Sequence, residues 1–314
     1  MTANQLSSCA FVGSEVIKPD RILSADELSR LNTRSDLQGY WRLGGHLAVM
    51  AVSGYLWAMN PLAIPFLIVY GFSLAAMFAT MHECCHRTAF ANNQVNDIVA
   101  WWAGVLSFYN STFYRRYHKW HHRYTRIPGK DPELTDRTPD SLWSYGLELS
   151  GLPWWWGKIR GHSRIAMGII DECEYIPATA RVEVIRSTRL QLLVCAIAIG
   201  ISVVCAQPWF LVYWLLPLAV GQPILRFILL AEHTGCTLDD NSLTNTRTTL
   251  TLAPLRFLMW NMPFHAEHHL YASIPFHALP AAHERLKSHF ATVDPGYVSV
   301  NLDMISKLDR GDRE

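Results

Sequence analysis

The chain has 314 residues, of which 50% are hydrophobic and only 17% are charged. This charged fraction lies below the roughly 25% that is usual for soluble domains, which disfavours an ordinary soluble protein. The net charge of +1 and the absence of a basic run argue against nucleic acid as a partner.

Residues 1–42 are polar and mixed in charge, so we expect a cytosolic lead-in without a signal peptide. A short helix is predicted within this region, near residues 25–32. Either Ser24 or Asp26 suits its N-cap position.

Two long segments, 43–81 and 190–225, contain no Asp, Glu, Lys or Arg. Because a spanning helix needs about 20 apolar residues, each segment can form a helical hairpin. Asn60-Pro61 interrupts the first segment and Gln207-Pro208 the second. A buried hairpin in a large soluble protein is the alternative, but two segments of this length favour the membrane. The predicted spans are residues 43–59, 61–81, 190–206 and 209–230.

The distribution of basic residues predicts the orientation of these spans. The presumed outer turns, near residues 60 and 207, contain no Lys or Arg, and all 27 basic residues lie elsewhere. By the positive-inside rule, both termini are expected in the cytoplasm, at the inner membrane. Seven cysteines, an odd number without paired spacing, fit a reduced cytosolic face better than a disulfide framework.

Two further apolar runs are not interpreted as spans. Residues 98–114 are uncharged but short and aromatic-rich, which favours an interfacial or re-entrant helix. Residues 250–264 are interrupted by Pro254 and Arg256. The chain is therefore predicted to be a single all-α domain with a cytosolic lead-in (1–42), two membrane hairpins (43–81 and 190–230) and a cytosolic helical cap (82–189 and 231–314).

Histidine spacing is the strongest signal in the sequence. Three clusters occur, HECCH, HKWHH and HAEHH, and a further histidine follows the fourth predicted span. Residues three and four apart share a helix face, so each cluster presents its imidazoles toward one point. Neutral imidazole is a common ligand of iron, copper and zinc. The candidate metal ligands are His82, His86, His118, His121, His122, His233, His265, His268 and His269.

Membrane topology supports the convergence of these clusters. Two spans separate His122 from His233, and an even number of crossings returns the chain to the same side. If residues 98–114 crossed the membrane, His86 and His118 would face opposite compartments. The isolated histidines are interpreted as structural; these are His46, His162, His277, His283 and His289.

Two other classes of protein were weighed. HECCH also satisfies H-E-x-x-H, the zinc protease signature in which Glu83 acts as general base, but this reading leaves at least five clustered histidines without a role. A metal transporter should carry polar residues in the middle of several spans, and only Gln222 and Arg226 approach this. Arg226 is equally consistent with a functional role and with a side chain that reaches the headgroups.

The three clusters resemble the histidine boxes of the integral-membrane fatty acid desaturase family, which also contains hydroxylases and ketolases. The segments HHRYTRIPGKDPE and NMPFHAEHHLYASIPFHALP are similar to those of bacterial members, and the resemblance runs from about residue 45 to 290. It implies a four-span frame whose cytosolic cap holds two irons on the nine histidines, with O2 as co-substrate. The expected reaction is the introduction of a double bond into an acyl chain of a lipid, with hydroxylation or ketolation of a lipid or terpenoid as the alternative.

The resemblance also has consequences for partners and for residues around the metal. No His-Pro-Gly-Gly run occurs, so reducing equivalents are expected from a separate ferredoxin- or cytochrome-type donor and its reductase. The first box has the short H-x-x-x-H spacing, which gives less support to a CoA-linked substrate. In addition, Ala272 stands where many relatives have proline. Asn261 is expected to contact one iron through water. Four carboxylates are candidates to orient imidazoles through the other ring nitrogen, with a solvated surface role as the alternative: Glu83, Glu267, Asp131 and Glu232.

Overall fold

The computed structural model describes residues 22–135, 138–170 and 174–310. Over these ranges the chain is mainly helical, which confirms the predicted helical class. In chain order the α-helices are α1 (Ala25–Leu31), α2 (Asp36–Met59), α3 (Ile64–Ala75), α4 (Met77–Cys85), α5 (Asn93–Ser107), α6 (Ser111–Tyr124), α7 (Leu142–Leu149), α8 (Leu152–Ala166), α9 (Ala178–Val204), α10 (Leu216–Leu229), α11 (Ala253–Leu258), α12 (His265–Leu270), α13 (Leu279–Leu286) and α14 (Tyr297–Arg310).

Short elements complete the fold. A 3₁₀-helix covers Pro132–Thr135, and a π-helical turn at Leu211–Leu215 leads directly into α10. Two strands of two residues each, β1 (Thr248–Thr249) and β2 (Val293–Asp294), pair in parallel. This small pair joins the segment before the third histidine cluster to the segment before α14.

Three helical stretches are long and apolar enough to cross a membrane: Ile64–Cys85, Ala178–Val204 and Leu211–Leu229. They correspond to the second, third and fourth predicted spans. The stretch Ala178–Val204 begins well before residue 190, because Pro177 forms its N-cap and no helix-breaking residue separates the charged first turns from the apolar part. The predicted span starts at residue 190 because Arg189 is the last charged residue before the apolar part, whereas the helix itself starts at Ala178.

The first predicted span lies within α2, which ends at Met59, directly before the predicted break at Asn60-Pro61. This helix is long enough to cross, yet it is not among the three stretches that combine length with sufficient apolarity in the described part of the chain. The helix α5 covers only 15 residues, fewer than a spanning helix needs. The described residues thus contain three candidate membrane-spanning helices, and α2 is less apolar than these three.

The helices α3 and α10 pack closely against each other. Gly71 and Gly221 face each other so closely that a side chain on Gly221 would collide with the Gly71 carbonyl oxygen. Small residues let spanning helices approach in this way. The helix α4 continues the course of α3 to His82, and α10 ends at Leu229, shortly before His233. The packing thus brings the ends of two apolar stretches together.

The lead-in helix α1 begins where the sequence predicts. Ser24 is its N-cap: the Ser24 hydroxyl accepts the Glu27 N–H, and the Glu27 carboxylate accepts the Ser24 N–H. Such a reciprocal pair satisfies two backbone donors at once. The predicted lead-in before residue 22 lies outside the described residues.

His46 has the structural role predicted for it. It is fully buried, and Trp260 Nε1 donates to its Nδ1 at 3.2 Å. The proton must then lie on Nε2, which donates to the Ser73 carbonyl oxygen at 2.8 Å. This neutral imidazole ties α2, α3 and the segment before α12 into one core.

Candidate metal centre

The three clusters lie on three helices. His82 belongs to α4 and His86 is its C-cap, the second cluster lies on α6, and the third lies on α12. The helix α6 begins at Ser111 because the Asn110 side chain accepts the Thr112 and Phe113 N–H groups. Trp260 and Asn261 both adopt positive φ, a left-handed conformation that side chains rarely take. The chain therefore turns sharply just before α12.

The structure brings all nine candidate histidines together, in two groups. The ligand atoms within each group lie within 4.8 Å of one another. The first group consists of His82, His86, His118, His122 and His268. The second group consists of His121, His233 and His269. His265 adjoins the second group, with its Nε2 at 3.1 Å from the Nε2 of His233.

Each ring of the second group is held by a partner on its Nδ1. His121 Nδ1 donates to the Asp131 carboxylate at 2.9 Å, and His233 Nδ1 donates to the Asn245 carbonyl oxygen at 3.2 Å. The Thr125 hydroxyl donates to the His121 carbonyl oxygen, so it accepts a hydrogen bond from His269 Nδ1 at 3.1 Å. In all three rings the Nε2 lone pair is left for a metal. Such outer hydrogen bonds orient metal-binding histidines in other proteins.

The residues present fit a metal. Buried polar atoms almost always have a hydrogen-bond partner, yet many imidazole nitrogens here are buried without one in the described part of the chain. These unpartnered nitrogens include His82 Nε2, His86 Nε2, His121 Nε2, His269 Nε2 and both ring nitrogens of His268. The eight imidazoles of the two groups, with His265 beside the second, are a donor set that suits two transition-metal ions.

The electrostatics of the site keep most of these rings neutral. Burial lowers the pKa of His86 and of His233 to about 3. Burial, together with the neighbouring imidazoles, holds the pKa of His118, His268 and His269 well below the usual value. Neutral imidazole is the form that binds metal, so these rings can act as metal ligands at neutral pH.

His121 is the exception. Burial acts to lower its pKa, but the Glu133 and Asp131 carboxylates outweigh burial and raise it. Burial likewise acts to raise the pKa of Asp131, yet the hydrogen bond and charge of His121 hold it below the usual value. The two side chains form a strongly coupled pair in which the carboxylate stays ionised.

The predicted orienting residues make different contacts. Asp131 contacts His121 as described, and Glu232 Oε2 lies 3.5 Å from His265 Nε2. Glu267 instead accepts from the Thr248 hydroxyl and pairs with His283 Nδ1 at 2.5 Å.

Glu83 and Asn261 both bind the chain at Phe276. Glu83 Oε1 accepts the Phe276 N–H at 3.0 Å, and Asn261 Nδ2 donates to the Phe276 carbonyl oxygen at 2.9 Å. Glu83 directly follows His82, and adjacent positions do not share a helix face. The contacts of Glu83 and Asn261 therefore brace the segment after the third cluster.

The zinc protease alternative finds no support in this geometry. A general base must reach a water on the metal, whereas the Glu83 carboxylate bonds to the backbone at Phe276. His82 and His86 also share their group with three further histidines, which leaves no simple three-ligand zinc site.

One site residue was missed by the sequence analysis. Glu133 lies on the 3₁₀-helix Pro132–Thr135, with Oε2 at 3.5 Å from His121 Nε2 and Oε1 at 3.6 Å from His118 Nδ1. The available signal was its place in the GKDPE run directly after the second cluster. In that run only Asp131 is predicted to orient an imidazole.

Comparisons with known proteins agree with this site. The profile of the fatty acid desaturase family matches residues 55–301, which include all three clusters. An sn-1 oleoyl-lipid 12-desaturase of Picosynechococcus sp. is 32% identical over 124 residues. That alignment covers 36% of this chain and only 36% of the relative's length. From the family match, the chain belongs to the fatty acid desaturase family, a family of oxidoreductases.

Proposed function

We propose that this chain is a membrane-bound di-iron oxidase that uses O2 to introduce a double bond into the acyl chain of a lipid. The observation that carries the proposal is the pair of buried histidine groups whose ring nitrogens lack protein partners. Family membership and the similarity to an oleoyl-lipid desaturase favour desaturation of a lipid-linked chain.

Under this proposal the first histidine group holds one iron, and the second group, with His265, holds the other. When bound, the two irons supply the oxidising power that removal of hydrogen from an unactivated methylene requires. The overall reaction converts a –CH2–CH2– unit and O2, with two electrons and two protons, into an alkene and two water molecules. The electrons come from a separate ferredoxin- or cytochrome-type donor with its reductase.

The chain's own contribution is to position the ions and to exclude water. The Nδ1 hydrogen bonds of the second group hold three rings with Nε2 facing inward. An aromatic wall, formed by Phe78 and Tyr109, adjoins the first group. The centroid of the Phe78 ring lies 6.2 Å from that of His82 and 4.6 Å from that of Tyr109. Arg226 donates to the Tyr109 hydroxyl at 3.0 Å, which anchors this wall to α10. The wall offers an apolar surface for a methylene chain beside the ions.

We further propose four spans, with both termini and the metal site in the cytoplasm at the inner membrane. The helix α2 would be the fourth span, and large apolar side chains on it are exposed, among them Leu47, Val52 and Leu56. A lipid environment would cover them. Two apolar stretches end near His86 and His233, which supports a site at one membrane surface, and the distribution of basic residues favours the cytoplasmic surface.

The test is expression of the full chain in a lipid-producing host, with metal analysis of the purified protein and complete lipid profiling. We expect two irons per chain and a new double bond at a defined carbon. His268→Ala should lose both iron and product, whereas His289→Ala, which alters an exposed histidine, should lose neither. A new hydroxyl or keto group would instead support the alternative reaction, and one zinc per chain would contradict the proposal.

A further inference from the structure

We infer that Arg247 is a positioning residue for His233. It holds the turn after α10 in the shape that directs the His233 ring into the second histidine group. Arg247 acts through the backbone of this turn, and the inference deepens the proposed function and rests on it.

The turn after α10 places His233 outside any helix. The helix α10 ends at Leu229, and the residues that follow it form a series of turns. Two carbonyl groups flank His233 in this segment, those of Ala231 and Thr234. Arg247 Nη1 donates to both carbonyl oxygens, at 2.6 and 2.7 Å. Because a buried carbonyl group needs a hydrogen-bond partner, the guanidinium holds the turn in this one shape.

The backbone beside Arg247 also contacts the turn. The Arg247 N–H donates to the Glu232 carbonyl oxygen at 3.0 Å, and His233 Nδ1 donates to the Asn245 carbonyl oxygen at 3.2 Å. The chain around Arg247 therefore contacts the backbone on both sides of His233 and the ring itself. His233 Nε2 lies 3.1 Å from His265 Nε2 on α12, so a small shift of the turn changes the distance between these two ring nitrogens.

A buried ion pair holds the Arg247 guanidinium in place. The Arg247 side chain is only 8% exposed, and its Nε lies 2.6 Å from Asp294 Oδ2. Asp294 belongs to β2, which pairs with β1 directly after Arg247 in the chain. An arginine is rarely buried unless it is paired, and its planar group has donors in fixed directions. With Nε at Asp294, Nη1 is directed at the turn.

The ion pair also has a structural interpretation, because Arg247 and Asp294 join the segments of β1 and β2. A purely structural pair predicts that its loss affects the whole fold and both histidine groups alike. The two carbonyl contacts predict a selective effect instead, since His233 belongs to the second group only. Selectivity between the two ions therefore separates the two roles.

The experiment compares iron binding by the full-length protein and its variants in detergent. Arg247→Lys keeps the charge beside Asp294, but one ammonium group cannot reproduce the fixed directions of Nε and Nη1. Asp294→Asn removes the ion pair and leaves Arg247 itself unchanged. Arg189→Lys is the matched control, because Arg189 Nε also donates to a backbone carbonyl oxygen, that of Ala166 on α8, at 2.8 Å and outside the metal centre.

Iron affinity is measured by competition with a chelator, each iron environment by Mössbauer spectroscopy of ⁵⁷Fe-loaded protein, and stability by the midpoint of thermal unfolding. We expect Arg247→Lys to weaken one of the two irons by about 10- to 100-fold, as for the loss of an outer partner of a metal-binding histidine, and to alter the spectrum of that iron alone. Asp294→Asn should alter the same spectral component to a smaller extent. Arg189→Lys should leave both irons unchanged.

Equal weakening of both irons together with a lower unfolding midpoint, or unchanged affinity and spectra in folded Arg247→Lys, would overturn the positioning role and leave a structural ion pair. If Arg247→Lys does not fold, Asp294→Asn decides by the same criterion. A wild-type protein that holds two irons but forms no oxidised lipid would contradict the proposed function alone, because the affinity comparison would still decide the role of Arg247. A wild-type protein that binds no iron would overturn both.

Discussion

The Asp131 carboxylate accepts a hydrogen bond from His121 Nδ1 at 2.9 Å, and both side chains are almost fully buried. Because an ionised carboxylate cannot donate, this contact fixes the tautomer of the ring and turns Nε2 toward His233 and His269. Asp131 thus links the polar segment after α6 to the second histidine group.

We predict that Asp131→Asn weakens iron binding by about 10- to 100-fold, the usual cost of losing an outer partner of a metal-binding histidine. The amide preserves the shape of the side chain but not its charge. The His121 imidazole therefore becomes less basic and is held less firmly in its orientation. The measurement is iron affinity by chelator competition.

The control for this prediction is Asp303→Asn, which removes an exposed carboxylate that pairs with Lys307 at 2.8 Å on α14. An exposed pair of this kind contributes little to stability. Equal affinities of the two variants would show that Asp131 does not act on the metal centre.

Histidine spacing, together with the position of His233 after the fourth predicted span, was enough to predict which rings meet. On α6, His118 and His122 are one turn apart and enter the first group, whereas His121 enters the second. Spacing could not predict the partners of those rings, because Asn245 and Asp131 come from irregular segments whose course depends on tertiary packing. For the same reason Glu133 escaped notice: no local periodicity marks a carboxylate on a single 3₁₀ turn.

For the fold, too, the sequence predicts some features and not others. The length of the segments without charged residues identified the apolar stretches. The breaks at residues 60 and 207 could be predicted because helix termination there follows from local residue types. It misplaced the start of α9, because a helix can continue from an apolar segment into a charged one without a break. It also gave no sign that Glu83 would accept the Phe276 N–H, or that Glu267 would pair with His283 and not with a clustered histidine.

We predict that Glu83→Gln lowers the oxidase activity by about tenfold at most and does not abolish it. The amide oxygen can still accept the Phe276 N–H, and a hydrogen bond of this kind contributes about 0.5–1.5 kcal/mol, which limits the loss to about tenfold. Product formation in the lipid-producing host is the measurement, with His82→Ala as the inactive reference. Complete loss of activity in folded Glu83→Gln would mean that Glu83 acts as an essential base.

We predict that Gln222→Met stabilises the lipid-free protein by about 1–3 kcal/mol, the usual cost of an unsatisfied buried polar group. Gln222 is fully buried on α10, and neither its Oε1 nor its Nε2 has a partner in the described part of the chain. Methionine has nearly the same volume and no such requirement. The measurement is the midpoint of thermal unfolding in detergent.

A matched control exists on α9. Gln191 is also buried, but its Nε2 donates to the Gly104 and Tyr109 carbonyl oxygens at 2.9 and 3.0 Å. Gln191→Met should therefore lower the unfolding midpoint. If Gln222→Met lowered it as well, the Gln222 amide would have a bound partner in the membrane protein.

The last prediction concerns the pH dependence of stability. His162 stacks on Phe108 with ring centroids 4.6 Å apart, and burial lowers the pKa of His162 to about 4, from the usual value of 6.5. The unfolded chain therefore takes up a proton at this residue before the folded one does. The resulting stabilisation is complete above pH 6.5 and is lost as the pH falls toward 4, by about 3 kcal/mol in total.

His162→Phe keeps an aromatic ring beside Phe108 and removes the titration. We expect the stability advantage of the wild type over this variant to shrink by about 3 kcal/mol between pH 7 and pH 4. Unfolding of both proteins in detergent at several pH values measures the difference, and protonation of the metal-site histidines, common to both, cancels. His289→Phe, which alters an exposed histidine, serves as the control. A wild-type advantage that stays constant with pH would show that His162 is not held neutral by the fold.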